Sequence, residues 1–97
     1  MHNVMGLLGL ACRARQVVSG ETAMKKLCAK QAYLMILADD MGENGKQKLL
    51  NKCHYYEVPY VFMNAQELNQ AIGRENRKSI AILDKGFAQK LYTCLKG

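Results

Sequence analysis

Two short apolar runs limit what this chain can fold into. Tyr33-Leu34-Met35-Ile36-Leu37-Ala38 and Ser79-Ile80-Ala81-Ile82-Leu83 are each bounded by polar residues and too short for a helix of ordinary length. Their apolar residues are consecutive and do not alternate, so both faces of each strand need cover. Such strands sit in the middle of a sheet with helices packed on either side. The other segments supply that cover. A helix is expected over residues 3–14, with Val4, Leu7, Leu8 and Ala11 on one face. A short strand follows over 16–19, and Gly20 opens a second helix, roughly 21–31. Asp39 to Gly45 reads as a loop, and residues 44–56 as a third helix with Leu49, Leu50 and Cys53 inward. Pro59, the only proline, starts a strand Tyr60-Val61-Phe62, a position where its missing N–H is tolerated. Asn64 and Glu67 have capping-box spacing for a fourth helix that ends near Gly73. Residues 74–78 form a basic turn, and the last helix turns Phe87, Leu91, Cys94 and Leu95 inward. Helices alternating with buried strands predict an α/β chain, a three-layer α/β/α sandwich with about four strands.

The length of 97 residues allows one domain, 1–97, and the 49% hydrophobic content is enough for a core. No stretch is long and apolar enough to span a bilayer. There is no charged leader followed by a long apolar run, so the expected setting is the cytoplasm, with reduced thiols. Cys12, Cys28, Cys53 and Cys94 form no C-x-x-C pair and no zinc-finger spacing with histidine, and read as small apolar residues.

Catalytic signatures are missing. The sequence has no phosphate-binding loop G-x-x-x-x-G-K-[ST], no G-x-G-x-x-G, no H-E-x-x-H and no G-x-S-x-G elbow. His2 is terminal, and His54 has no nucleophile near it in sequence. Asp39-Asp40 could carry a hydrated cation, but adjacent acids in a loop more often make a solvated turn or a helix cap. The expectation is a binding protein and not an enzyme, without cofactor or metal.

The basic residues carry more information. Lys and Arg number 14 against 8 Asp and Glu, a formal charge of +6. Charge alone leaves both solubility and a polyanionic partner open. Arg13 and Arg15 end the first helix; Lys25, Lys26 and Lys30 lie on the second; Arg74, Arg77 and Lys78 fill the turn before the last strand. Helix C-termini favour cations, which accounts for Arg13, Arg15 and Lys30. It leaves Lys25 and Lys26 unexplained if they lie in the first half of a helix. Ser19-Gly20-Glu21-Thr22 joins a strand to a helix. There a glycine lets another backbone approach and the first-turn amides are free donors. The plainer account is a simple turn. Glu21 suits the helix dipole but would repel a phosphate.

These residues resemble a known family. Arg13-Ala14-Arg15-Gln16-Val17-Val18-Ser19-Gly20-Glu21 is similar to the first helix–strand–helix join of the kink-turn-binding ribosomal proteins (the L-seven-Ae and L-thirty-e family). Ile36-Leu37-Ala38-Asp39-Asp40 is similar to the central strand and the acidic turn after it. The likeness continues through Lys52 to Tyr60, Glu67 to Gly73 and Asp84 to Ala88, and it leans toward the short bacterial members. The resemblance implies a three-layer α/β/α sandwich around a mixed sheet. It also implies binding to RNA kink-turns, bent helix–internal-loop–helix elements with tandem sheared G·A pairs, and a ribosome or ribonucleoprotein association. The typical contact motif is Gly, any residue, Asn or Lys, Glu or Gln, two residues, then Lys. Counted from Gly20, this places Thr22 and Ala23 at the reading pair and Lys26 at the lysine. Counted back from the central strand, Lys25 takes the lysine's place, so both lysines are kept. Thr22 can make fewer hydrogen bonds than Asn, and the Ala23 side chain can make none. The second contact surface implied is the loop before the last strand, apolar in the family. Here Arg74-Glu75-Asn76-Arg77-Lys78 is polar and basic, which predicts a more salt-sensitive grip. The expected RNA-contact set is Ser19, Gly20, Glu21, Thr22, Lys25, Lys26, Asp39, Asp40, Arg74, Asn76, Arg77 and Lys78. The other reading is a protein-interaction module on the same fold that has lost kink-turn specificity.

Overall fold

A computed structural model describes residues 3–96; Met1, His2 and Gly97 lie outside the described residues. The elements are α1 (Val4–Arg13), β1 (Val17–Ser19), α2 (Gly20–Cys28), β2 (Leu34–Ala38), α3 (Glu43–Tyr56), β3 (Tyr60–Met63), α4 (Ala65–Ile72), β4 (Ser79–Ile82) and α5 (Lys85–Lys96). The four strands form one sheet in the order β1-β4-β2-β3. β4 runs antiparallel to both β1 and β2, while β3 is parallel to β2, so the sheet is mixed.

The two apolar runs, β2 and β4, are the two central strands, and every residue of both is buried. Their side chains alternate between two cores. Leu34, Ile36 and Ala38 join Ile80 and Ile82 on one face, packed with Leu8 of α1, Leu68 of α4 and Leu91 of α5. Met35, Leu37 and Ala81 face the other way, onto Ala23 and Leu27 of α2 and Leu49 and Cys53 of α3. Three helices thus cover one face and two the other, which is the expected sandwich. Val4 and Leu7, expected inward with Leu8 and Ala11, are partly buried against the first core. Phe87 and Leu95 do the same from α5, whereas Cys94 lies in a surface depression between α1 and α5. Burial alone pushes the Cys53 thiol up to about 11.

Local chemistry sets the ends of the elements. Asn3 caps α1, its Oδ1 accepting from the Gly6 amide at 2.8 Å. Asn64 caps α4 in the same way through the Glu67 amide at 3.0 Å. Gly73 closes α4 in the left-handed region, with φ +67°.

One boundary differs in a way that matters. α2 stops at Cys28, three residues before the expected end, because Lys30 adopts a left-handed φ of +59°. The amides of Ala29 and Gln31 close the helix on the carbonyls of Lys25 and Lys26. Both lysines therefore belong to the last turn of a nine-residue helix and not to its first half. A cation there is already favoured by the helix dipole. Their place on the helix is thus no sign of a partner, and any role has to come from what lies beside them.

Candidate functional site

The site lies at one end of the sheet, where β1 finishes, α2 begins and the loop from α4 enters β4. Antiparallel pairing of Ser19 with Ile80 brings the end of β1 to the start of β4. The chain turns into α2 through Gly20, which holds φ +60°, a conformation that disfavours residues with a Cβ. Ser19 is extended and its side chain makes no capping hydrogen bond. The first-turn amides of α2 are consequently not closed off by a cap, and they point where an acceptor could meet them.

Two arginines from the loop face this turn. Arg74 and Arg77 line a cavity of about 410 Å³ together with Cys12, Val17, Val18, Ser19, Thr22 and Ile72. A Cβ on Gly20 would meet Arg77 Nη1 at 3.8 Å, so the guanidinium stands beside the helix start. The same cavity shows in the Cys12 thiol. Burial pushes it above its ordinary range, and the positive charge of Arg74 pulls it back. Val17, Val18 and Ile72 give the cavity an apolar wall under a cationic rim, which suits a planar ring and a phosphate together.

The structure divides the twelve expected residues among three settings. Ser19, Thr22, Arg74 and Arg77 line the cavity, and Gly20 forms its turn. Asp39, Asp40, Asn76 and Lys78 line a second depression of about 400 Å³ with Asn64, Ala65, Gln66 and Asn69. The 74–78 loop lends residues to both. The acids are occupied within the fold. Asp39 Oδ1 accepts from the Ala65 amide at 3.1 Å and so helps to start α4. Lys78 Nζ donates to Asp40 Oδ2 at 2.9 Å, which neutralises one of the loop's cations. Arg74 and Arg77 remain exposed on the loop, with the Glu75 carboxylate between them in sequence.

Glu21, Lys25 and Lys26 lie along α2. Glu21, Thr22 and Lys25 are exposed and, at spacings of three and four residues, share one face that continues the cavity rim. Lys26 is partly buried, and its Nζ bonds Gln31 Oε1 at 3.1 Å, beyond the far end of the helix. Ala23 is fully buried in the core with Leu27. This corrects the register counted from Gly20. A residue with no exposed surface cannot read a base, so Thr22 and Ala23 are not the reading pair. Counting back from β2 gives the lysine's place to Lys25, and the exposed residues before it, Glu21 and Thr22, are then the candidates for the reading pair. Arg13 and Lys30 are elsewhere. Arg13 lines the depression between α1 and α5, and Lys30 follows the C-terminal end of α2.

Asn69 escapes a reading by motif. It lies within α4, yet its side chain bonds the backbone of Arg77 in both directions. The available signal is weak: an asparagine inside a helix, where its amide competes with the backbone, asks for a partner outside it.

Comparison with known proteins shows the family. Residues 2–92 match the family described as Ribosomal protein L7Ae/L30e/S12e/Gadd45. The chain belongs to that family. It is 44% identical over 91 residues to RNA-binding protein YlxQ of Bacillus subtilis, covering 92% of this chain and 91% of that one. It is 37% identical over 98 residues to RNA-binding protein YlxQ of Enterococcus faecium, covering 99% and 94%. Both relatives are named as binding proteins. Among solved structures, a protein of unknown function from Bacillus halodurans superposes with a TM-score of 0.93 at 39% identity, over all of both chains. The 15.5kD RNA binding protein of Giardia lamblia has the same fold, with a TM-score of 0.77 at 20% identity, over 95% of this chain and 83% of that one. Among the described residues no helix is long and apolar enough to cross a membrane.

Proposed function

We propose that this protein binds structured RNA of the kink-turn type through the edge formed by Ser19 to Lys25 and the 74–78 loop. One observation carries the reading: the uncapped start of α2, turned by Gly20, opens on a cavity rimmed by Arg74 and Arg77. Amides there can take base edges or phosphate oxygens, and the guanidinium groups can bridge two phosphates of a sharply bent strand. The YlxQ relatives, named as RNA-binding proteins, support RNA as the polymer. The family's ribosomal name makes ribosomal RNA the first source to search, in a translation-associated role.

The reading pair gives this chain a particular character. Glu21 accepts hydrogen bonds and donates none, while Thr22 does either. A carboxylate can take the N–H groups of a guanine edge, and it repels nearby phosphate. Base reading and phosphate holding are then separated, with Glu21 and Thr22 on bases and Lys25, Arg74 and Arg77 on the backbone.

The test is a gel shift at two salt concentrations with a kink-turn RNA and a version whose G·A pairs are replaced. Preferential binding to the kink-turn, weakened as salt rises, is expected. Equal binding to both RNAs would sink shape-specific recognition. Retention of full affinity by Lys25→Ala and Arg77→Ala together would sink the site.

A further inference from the structure

Within the RNA-binding reading, the 74–78 loop needs a reason to hold its shape. It follows left-handed Gly73 at φ +67°, contains a second left-handed residue, Asn76 at φ +57°, and most of it is exposed. Such a segment would otherwise sample many conformations, and each would have to be abandoned on binding. One residue fastens it at two points. The main-chain carbonyl of Asn69 accepts from the Arg74 amide at 3.0 Å. Its side-chain Oδ1 accepts from the Arg77 amide at 2.8 Å, and its Nδ2 donates to the Arg77 carbonyl at 3.0 Å. Nδ2 also donates to the Ala65 carbonyl at 2.8 Å, which fixes the carboxamide against its own helix. Beyond Arg77, the Lys78 carbonyl accepts from the Ala38 amide at 2.8 Å, where the loop joins the sheet.

We infer that Asn69 is a positioning residue, which holds Arg74 and Arg77 at the start of α2 so that the loop meets RNA already shaped. The chemistry explains the residue type. Gripping both the N–H and the C=O of one peptide segment takes a donor and an acceptor on one short planar group, and a carboxamide carries both. Aspartate keeps the acceptor and loses the donor, and leucine loses both. Asn69 itself lines the second depression and not the arginine-lined cavity. It acts through Arg77 and not by contact at that cavity.

The experiment measures amide hydrogen exchange in the free protein and affinity for the kink-turn RNA, using Asn69→Leu, Asn69→Asp, Arg77→Ala and the double variant Asn69→Leu/Arg77→Ala. In Asn69→Leu, exchange at the Arg77 amide should quicken by about tenfold or more while amides of β2 and β4 keep their protection. Affinity should fall by about five- to tenfold, as for lost hydrogen bonds that ordered the loop. The dependence on salt should stay unchanged, because no phosphate contact is removed, whereas Arg77→Ala should make it shallower. Asn69→Asp should fall between parent and leucine. On the Arg77→Ala background, Asn69→Leu should weaken binding by clearly less than it does alone. Unchanged protection at the Arg77 amide would overturn the inference, and so would strict additivity of the two substitutions. If the unsubstituted protein ignores kink-turn RNA, the functional reading fails, and the exchange experiment still decides whether Asn69 anchors the loop.

Discussion

Replacing Gly20 with alanine isolates the backbone's share in the site. The position holds φ +60°, and the space around its missing Cβ is open, the nearest atom being Arg77 Nη1 at 3.8 Å. No clash is created, so the whole effect comes from forcing an L-residue into the left-handed region, about 1–2 kcal/mol. For a domain of this size that is a fall of roughly 5–10 °C in Tm. Gly45, inside α3, gives the opposite expectation from the same change. Its Cβ would meet only Met41 Cε, the end of a flexible side chain, at 3.4 Å. Alanine there should stabilise by about 0.5–1 kcal/mol through helix propensity. Gly20→Asn should lose less than Gly20→Ala, since asparagine tolerates that conformation better. Urea denaturation of the four proteins at a common m-value reads the differences directly. If Gly20→Ala matched the parent, or if the two alanine variants moved in the same direction, the account of the turn would be refuted.

Three further outcomes follow from the geometry. Ala23→Gln should unfold or strongly destabilise the protein by burying an unpartnered amide, at ~2 kcal/mol or more, whereas Thr22→Asn should fold normally and bind kink-turn RNA at least as tightly; circular dichroism and gel shift check both. Asp40→Asn should cost under about 1 kcal/mol of stability, because the pair with Lys78 is exposed. It should also free a cation, raising RNA affinity and steepening its salt dependence in a titration against salt. Finally, the Cys53 thiol titrates near 9.0 in the unfolded chain and at about 11 in the folded one. Between those values the unfolded state gives up a proton that the folded state keeps. Thermal stability should therefore decline as pH rises past 9 and flatten above 11, and a Cys53→Ala variant should decline less over that interval.

The fold was legible where side-chain pattern alone decides structure. Continuous burial marked β2 and β4 as inner strands, and Asn64 and Gly73 bracketed α4. The early end of α2 was harder to see, because Ala29, Lys30 and Gln31 all tolerate a helix and only the left-handed turn at Lys30 breaks it. A motif count from Gly20 lands on Ala23, which is buried. A count back from β2 starts from a strand whose register is pinned on both faces, and it meets the exposed residue Lys25. The site's charges could be read individually, but their pairing could not. Asp40 finds Lys78 only after β2 and β4 have paired, and Asn69 finds Arg77 across the turn that follows α4, so no helix or strand spacing announces these contacts.

Strand order also constrains when the candidate site can exist. β4, from the last fifth of the chain, lies between β1 and β2, which come from the first half. Until Ser79 to Ile82 is in place, β1 lacks its hydrogen-bonded neighbour and the two N-terminal strands are not joined. The sheet therefore closes by inserting a strand and not by extending one, through contacts between distant parts of the chain, a class of contact that costs the most loop-closure entropy. The same insertion delivers the 74–78 loop to the start of α2. A chain released before β4 would lack part of its core and the arginine side of its cavity together.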